Sequence, residues 1–336
     1  MVRASAATIA VLGDGGWGTA LAIHLHRLGH HVRWWGAFPG YLRELDLRRK
    51  NRKFLPGISI PRSIHILPAL DAAVTDAQLI VLAIPSQHLR SVVRRLKPLR
   101  SLAVDALFLS VAKGLETRSL KRMSQVVQDE LGRVKLAVLS GPSIASEVAR
   151  RHPASVVVAS HQSAIAKTVQ RWCMGDHLRI YTSTDVAGVE LGGALKNPVA
   201  IAAGVSDGLG FGANAKAALI TRGVVEMARL GVAMGGRAQT FWGLSGLGDL
   251  VTTCLSGRNR WLGEQLGRGR RLKTVLAGTP MVIEGVETSK AAVGLGRRYG
   301  IELPIIEQVH AILYRGRPPR AALQALMLRA GKPESP

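Results

Sequence analysis

The chain has 336 residues, 47% hydrophobic and 20% charged, which indicates two globular domains and excludes intrinsic disorder. No apolar run reaches the roughly 20 residues that cross a membrane, and two cysteines are too few for a disulfide framework or metal cluster, so we predict a cytoplasmic protein without stable membrane insertion. The net charge is +23, but dispersed basic segments without interleaved aromatics favour a solvated, arginine-rich surface over a nucleic-acid-binding one.

The first predicted element is a short apolar strand at 8–12, TIAVL, followed by a glycine-rich turn and an apolar helix. Gly13, Gly15 and Gly18 match the spacing G-x-G-x-x-G in this strand–turn–helix context. The first glycine makes the tight turn, the second lets a pyrophosphate approach the backbone, and the third lets helix pack on strand. Free N–H groups at the helix start bind the phosphates. The stretch therefore predicts a dinucleotide-binding turn.

The second predicted strand, HVRWWG at 31–36, bears on the choice of cofactor. NAD-specific sites usually carry Asp or Glu near the end of this strand, where it contacts the ribose hydroxyls. Here Gly36 and Ala37 follow, with no acid to repel a 2′-phosphate, and Arg33 and Arg43 are close in the sequence. We predict NAD(P)H as the cofactor, with NADP slightly favoured and the choice left open.

Three more apolar strands are predicted, each ending in a small polar or charged group. They lie at 79–87, 106–116 and 135–147 and contain Pro85-Ser86, Lys113-Gly114 and Gly141-Pro142-Ser143 at or near their ends. Continuous apolar runs separated by helical stretches predict a Rossmann-type, doubly wound parallel sheet. Ligands bind beyond the carboxyl ends of such strands, so these groups and the glycine-rich turn should meet in one crevice.

The pattern changes near residue 185, where β-branched runs thin out. Helices are predicted at 212–231, 279–300 and 304–314. The predicted fold class is α/β, with a dinucleotide-binding domain at 1–188 and an all-helical substrate-binding domain at 189–336. Four histidines near the first helix, at 24, 26, 30 and 31, have no metal-ligating neighbours in the sequence. We interpret them as surface or capping residues and predict no metal site.

Two glycine-rich segments of the second half carry isolated polar residues. ELGGALKNPVA (190–200) surrounds Lys196 with Gly, Ala and Leu, and Asp249 lies between Gly and Leu in GLGDL. Arg258-Asn259 follows a Ser-Gly turn, which is compatible with a phosphate clamp or with a surface arginine and a capping asparagine. Pro198 could mark the first turn of a helix capped at its neighbour; we favour one helix kinked at Pro198, with Lys196 on its inner face.

These motifs together resemble the bacterial-type NAD(P)-dependent glycerol-3-phosphate dehydrogenase family. The resemblance covers almost the whole chain and rests, in the family's order, on GWGTALA, FLPG, VAKGLE, LSGPSIASEVA, VELGGALKNPVAIAAGVSDGLGFGANAKAALITRG, GLGDLVTTC, RNR and EGVET. It implies reversible hydride transfer between NAD(P)H and dihydroxyacetone phosphate, which gives sn-glycerol 3-phosphate for phospholipid synthesis.

The resemblance also implies roles for individual residues. Lys196 is the implied proton donor or acceptor, with Lys113 and Asp249 completing the catalytic set. The implied substrate contacts are Lys113, Gly141, Ser143, Lys196, Asp249, Arg258 and Asn259. Together with the glycine motif, the implied cofactor contacts are Gly13, Gly15, Gly16, Trp17, Gly18, Lys113, Ala145, Arg258, Val282 and Glu284.

The chemistry of ketone reduction fits these residues. The carbonyl oxygen gains negative charge, which calls for a proton donor and fixed positive charge. An apolar setting would lower the pKa of Lys196, a nearby Lys113 would lower it further, and a nearby Asp249 would oppose both effects. We expect Lys196 to protonate the oxygen, Lys113 to stabilise charge, and Asp249 to orient Lys196 or a substrate hydroxyl.

Three positions depart from the family pattern. Ala37 stands where arginine is frequent, Gly257 replaces a serine in a shortened segment before Arg258, and Pro198 replaces an aliphatic residue. Three alternatives also stay open: another hydroxyacid or sugar-acid dehydrogenase of the same plan, a dinucleotide-sensing protein without catalysis, and a nucleic-acid binder. A homodimer is the expected assembly because it is the commonest closed one.

Overall fold

The computed structural model describes residues 5–331 and 333–334. The strands are β1 (Thr8–Leu12), β2 (His31–Trp35), β3 (His65–Ile66), β4 (Leu79–Leu82), β5 (Leu107–Ser110), β6 (Lys135–Ser140), β7 (Ala154–Ala159) and β8 (Leu178–Ser183). The helices between them are α1 (Gly16–Arg27), α2 (Pro39–Arg48), α3 (Leu70–Val74), α4 (Ser86–Leu96), α5 (Met123–Leu131), α6 (Ala145–Ala149) and α7 (Ser163–Cys173), and a 3-10 helix spans Lys97–Ala103.

The eight strands form one sheet in the order β3-β2-β1-β4-β5-β6-β7-β8. Successive residues of β1 enter opposite layers: Ile9 and Val11 join one core cluster, while Ala10 and Leu12 join the other. Burial on both faces explains why the strands read as continuous apolar runs. The Rossmann-type α/β fold is thus confirmed, and the order reverses between β1 and β4, where such sheets bind their ligands.

The far edge of the sheet carries two strands, β7 and β8, that the sequence did not predict. β7 pairs antiparallel with β6, and β8 pairs parallel with β7, so the last two strands run against the other six. The connection from β6 contains only α6, a five-residue helix. It is shorter than the crossover helices that return a chain for parallel pairing, so β7 runs back along its neighbour.

The second half is helical, as predicted. Its elements are α8 (Val186–Gly208), α9 (Ala213–Ala233), α10 (Ala238–Trp242), a π-helical turn (Leu244–Gly248), α11 (Asp249–Leu255), α12 (Arg258–Gly267), α13 (Leu272–Ala277), α14 (Glu284–Tyr299), α15 (Pro304–Arg315) and α16 (Pro319–Met327). α8 is almost wholly buried and is capped by Asp185, whose carboxylate accepts from the Gly188 N–H. It continues through Pro198, which rules out a helix start at Asn197.

Two histidines are not the surface residues predicted. His24 and His30 are buried, and each places Nε2 2.7 Å from a backbone oxygen at the end of α7, that of Cys173 and that of Trp172. They hold α1 and the loop after it against α7. Within residues 5–331 and 333–334, no group of His, Cys, Asp and Glu has a metal-binding arrangement, and no helix is both long and apolar enough to cross a membrane.

Candidate active site

The turn between β1 and α1 has the shape that the glycine motif predicts. Gly13 has a φ of 129°, and a Cβ added there would collide with the Ala83 carbonyl oxygen. A Cβ on Gly18 would collide with the Gly13 carbonyl oxygen, whereas Gly15 has nothing within 4 Å. The outer glycines are therefore fixed by close packing, and the middle one opens onto the space where a pyrophosphate can approach.

Sequence reasoning missed the residue that holds this turn in place. Asn51 is fully buried, and its Nδ2 donates to the Asp14 carbonyl oxygen at 2.9 Å and to Thr19 Oγ1 at 2.7 Å. Its Oδ1 accepts from Phe54 N and the Tyr41 hydroxyl. In the sequence Asn51 is one asparagine in a basic loop, so its role depends on a contact 37 residues away that no local pattern signals.

Lys113, Lys196 and Asp249 meet as predicted, although they come from the loop after β5, from α8 and from α11. Lys196 Nζ lies 2.6 Å from Asp249 Oδ1, and Lys113 Nζ lies 2.7 Å from Asp249 Oδ2. One buried carboxylate thus holds one lysine on each oxygen. Thr253, which the sequence did not single out, accepts a second hydrogen bond from Lys196 at 2.6 Å.

The electrostatics of Lys196 follow the balance expected from the sequence. Burial is the largest effect and lowers the pKa of the ammonium to about 8; the Asp249 carboxylate opposes this shift and the Lys113 charge adds to it. Only 5% of the Lys196 surface is exposed. Lys196 can therefore exchange a proton near neutral pH.

Lys113 also connects to the end of β6. Its Nζ donates to the Gly141 carbonyl oxygen at 2.8 Å and to Ser143 Oγ at 3.2 Å, and Ser143 Oγ donates to the same carbonyl at 2.8 Å. The ends of β5 and β6 therefore form one polar wall beside Asp249. This is the convergence at the carboxyl edge that a parallel sheet predicts.

The small residues of α8 let this lysine reach the sheet. A Cβ on Gly192 would lie 2.7 Å from the Ser245 carbonyl oxygen, and one on Gly193 would collide with Ser140 Oγ and lie 3.6 Å from Lys113 Cγ. α8 packs so closely against β6 and the π-helical turn that side chains at these two positions have no room. The glycines before Lys196 thus set its distance from Lys113 and Asp249.

Arg258 and Asn259, the pair compatible with a phosphate clamp, differ in their surroundings. Arg258 opens α12, is exposed, and has no hydrogen-bond or ion-pair partner in the described part of the chain. Asn259 is buried; its Nδ2 donates to Asn197 Oδ1 at 2.8 Å, and its Oδ1 accepts from Gly285 N at 3.0 Å. Asn259 therefore ties α12 to α8 and α14. Gly257 has a φ of 108°, a conformation that disfavours the serine of the family pattern.

The remaining predicted cofactor residues lie in both halves, and a contact of Glu284 joins the two. Glu284 begins α14 and accepts from Ser86 N at 2.9 Å and from the Ser86 hydroxyl, at the start of α4. Burial raises the pKa of Glu284, opposed by these hydrogen bonds and by the Arg258 charge. Val282 is exposed, Trp17 packs on the core, and a Cβ on Gly16 would lie 3.8 Å from Ala145 Cβ.

The donor set fits a dinucleotide and an anionic substrate. The open face at Gly15 and the first N–H groups of α1 suit a pyrophosphate, and the unpaired Arg258 suits a phosphate. Two lysines on one carboxylate supply positive charge and a titratable proton. The arrangement can support hydride transfer coupled to proton transfer.

Comparison with known proteins gives one consistent result. Models described as NAD-dependent glycerol-3-phosphate dehydrogenase N-terminus and C-terminus match residues 8–166 and 185–324. The chain is 46% identical over 331 residues to a glycerol-3-phosphate dehydrogenase NAD(P)+ of Geobacillus kaustophilus, covering 97% of this chain and 96% of that protein. The crystal structure of glycerol-3-phosphate dehydrogenase from Coxiella burnetii is similar with a TM-score of 0.93 at 39% identity, covering 96% of this chain and 99% of that one.

Proposed function

The chain belongs to the NAD(P)-dependent glycerol-3-phosphate dehydrogenase family, and on that premise we propose how its residues divide the reaction. The reaction is reversible hydride transfer between NAD(P)H and dihydroxyacetone phosphate, which gives sn-glycerol 3-phosphate. The observation that carries the division of roles is Asp249, which binds Lys196 with one carboxylate oxygen and Lys113 with the other.

Lys196 moves the proton. When bound, the nicotinamide supplies or accepts the hydride. In the reductive direction the Lys196 ammonium protonates the carbonyl oxygen, and in the oxidative direction its neutral amine takes that proton back. A pKa of about 8 suits both roles because neither form of the lysine is rare near neutral pH. Asp249 orients Lys196, and Lys113 stabilises the negative charge that develops on the oxygen.

Arg258 and the start of α12 bind the substrate phosphate. The guanidinium has no competing carboxylate within ion-pair distance in the described ranges, and the free N–H groups of the first turn add donors for an anion. Asn259 donates one amide hydrogen to Asn197 and offers the other to a substrate oxygen. Gly141 and Ser143, beside Lys113, complete the substrate contacts.

The turn at residues 13–18 would hold the dinucleotide. Gly15 and Gly16 would offer their backbone N–H groups to its pyrophosphate, and Trp17 and Ala145 would adjoin them. Lys113, Arg258, Val282 and Glu284 complete this cofactor set near the reacting end. The Ser86–Glu284 contact supports this placement because it brings α14 to the sheet edge.

We also propose the wider setting of the enzyme. The division into 1–188 and 189–336 stays a prediction, and α8, which begins at Val186, is the element shared by both parts. Two free, buried cysteines are consistent with a reducing, cytoplasmic location. A homodimer without a nucleic-acid partner remains the proposed assembly.

A spectrophotometric assay tests this function. The protein is mixed with dihydroxyacetone phosphate and either NADH or NADPH, and loss of nicotinamide absorbance is followed. We expect turnover; none with either cofactor would overturn the proposal. A salt-dependent mobility shift with DNA, together with no oxidation of the cofactors, would favour the nucleic-acid alternative.

A further inference from the structure

A carboxylate lies where the adenosine ribose of a dinucleotide should bind. Asp14 occupies the glycine-rich turn between Gly13 and Gly15, and its side chain lies over Gly36, the first residue after β2. A Cβ added to Gly36 would collide with Asp14 Oδ2 and lie 2.6 Å from its Cγ. The Asp14 carboxyl group therefore fills the space in which a side chain following β2 would begin.

One oxygen of this carboxylate has no partner within the described part of the protein. Asp14 Oδ2 is buried and has no hydrogen-bond partner in the described residues. Burial raises the pKa of Asp14, while a hydrogen bond from its own backbone N–H and the Lys53 charge lower it. The Asp14 backbone is held firmly, since its carbonyl oxygen accepts from Asn51 Nδ2 at 2.9 Å. A buried polar atom without a partner in a ligand-binding turn points to a partner on the ligand.

The position of the carboxylate identifies that partner. In doubly wound sheets the adenosine ribose lies at the end of the second strand, where an acid binds its hydroxyls or an arginine accommodates a 2′-phosphate. After β2 this chain has Gly36 and Ala37 instead of either residue. Arg33 does not substitute for the arginine, because its guanidinium donates to the carbonyl oxygens of Thr75 and Ala72.

We propose that Asp14 sets the cofactor preference: its carboxylate accepts hydrogen bonds from the ribose hydroxyls of NAD and repels the 2′-phosphate of NADP. The acid comes from the turn after β1 instead of from the end of β2. The inference rests on the proposed dinucleotide site. It reverses the slight preference for NADP, which depended on the missing acid after β2. Lys53 is the cation that opposes this repulsion.

Binding measurements test the inference without relying on turnover. Isothermal titration calorimetry of the whole protein gives Kd for NAD+ and NADP+, and for ADP-ribose and 2′-phospho-ADP-ribose, which lack the nicotinamide. We expect the native protein to bind each unphosphorylated ligand about tenfold or more tightly than its 2′-phosphorylated counterpart. Asp14→Asn should lower that ratio by about tenfold or more, chiefly through tighter binding of the phosphorylated ligands.

A control variant and a rescue variant distinguish recognition of the ribose by Asp14 from a general effect of negative charge on ligand binding. Glu44→Gln removes an exposed acid on α2, whose side chain is 45% exposed, and should leave the ratio within about twofold. Gly36→Asp alone should disturb the turn because Asp14 occupies that space. Combined with Asp14→Gly, which also removes the Asp14 Cβ that would lie 2.7 Å from the new side chain, the same Gly36→Asp change should restore the preference for NAD from the usual position of the acid.

The outcomes distinguish this inference from the proposed function. An unchanged ratio in Asp14→Asn with both dinucleotides still bound, or tighter native binding of 2′-phospho-ADP-ribose, would overturn the role of Asp14 alone. No binding of any of the four ligands would overturn the dinucleotide site and this inference with it. If Asp14→Asn unfolds at the assay temperature, two measurements still test the role of Asp14. They are the ratio of the Kd values in the native protein and the same ratio in the double variant at positions 14 and 36.

Discussion

Replacing Asp249 with asparagine perturbs the proton affinity of Lys196 more than its position. The native carboxylate raises the pKa of Lys196, against the burial and the Lys113 charge that lower it to about 8. Two unit charges about 4 Å apart at an effective dielectric constant of about 20 interact by about 4 kcal/mol, or about three pKa units. Because the amide keeps part of the dipole, we expect Asp249→Asn to lower the pKa of Lys196 by about one to three units.

The pH dependence of kcat measures this change. Reduction of dihydroxyacetone phosphate needs protonated Lys196, so the native rate should fall as pH rises through about 8, and the reverse oxidation should rise over the same range. In Asp249→Asn the fall of the reductive rate and the rise of the oxidative rate, the two limbs of the pH profile, should both move to lower pH. The control Thr253→Val removes only a neutral partner of Lys196 and should move the limbs by less than about half a unit.

Lys113→Met should shift the pKa of Lys196 in the opposite direction. Lys113 lowers the pKa of Lys196, so its removal should move the reductive limb to higher pH, measured at saturating substrate because Lys113 also binds substrate. If Asp249→Asn lowers kcat while the limb stays near the native pH, Lys196 is not the titrating group and the reasoning fails.

Four further predictions follow from separate features. Lys196→Ala should lower kcat by about a thousandfold with the Kd for NAD(P)H nearly unchanged, whereas exposed Lys135→Ala should match the native enzyme; near-native kcat in Lys196→Ala would refute its role. Arg258→Ala should raise KM for dihydroxyacetone phosphate about a hundredfold while exposed Arg268→Ala leaves KM unchanged; a native KM in Arg258→Ala contradicts the phosphate assignment. Gly13→Ala, which adds a Cβ against the Ala83 carbonyl oxygen, should weaken NAD(P)H binding and lower Tm, and full binding would contradict the close packing. Burial raises the pKa of Glu226 to about 7, so its contribution to stability is present below about 4.5 and lost as pH rises through about 7; the fall in Tm between pH 5 and 8 should therefore be smaller in Glu226→Gln, and an equal fall would argue against it.

Much of the site could be predicted because its residues occupy positions that topology brings together. Lys113 and Ser143 follow neighbouring parallel strands, so their meeting needs only the order of the sheet. Lys196 and Asp249 come from helices whose sequences show an isolated charge among small residues. The resemblance to a family joined them, and the 2.6 Å contact agrees with the expected pairing.

The residues that were missed depend on contacts that leave no pattern in the sequence. Asn51 acts through the Asp14 backbone, and Thr253 accepts from Lys196; Asn259 was named from the resemblance, but its contacts with Asn197 and Gly285 were not foreseen. The antiparallel pairing of β7 with β6 depends on the length of the connection between them, because α6 is too short to return the chain for parallel pairing. Asp14 gives no signal of its own in the sequence because the acid of this motif usually follows β2, whereas the ends of β1 and β2 bring their side chains into the same space.

The close approach of α8 to the sheet has a consequence for mutational tolerance. A methyl group at Gly192 or Gly193 would need the helix to retreat by about 1 Å to reach ordinary carbon–oxygen separations of about 3.4 Å, and the retreat would stretch the 2.6 Å hydrogen bond between Lys196 and Asp249. Reactivity is thus constrained by two positions that carry no functional group. A variant library that preserved every polar residue but allowed alanine at these glycines would lose activity without touching the chemistry.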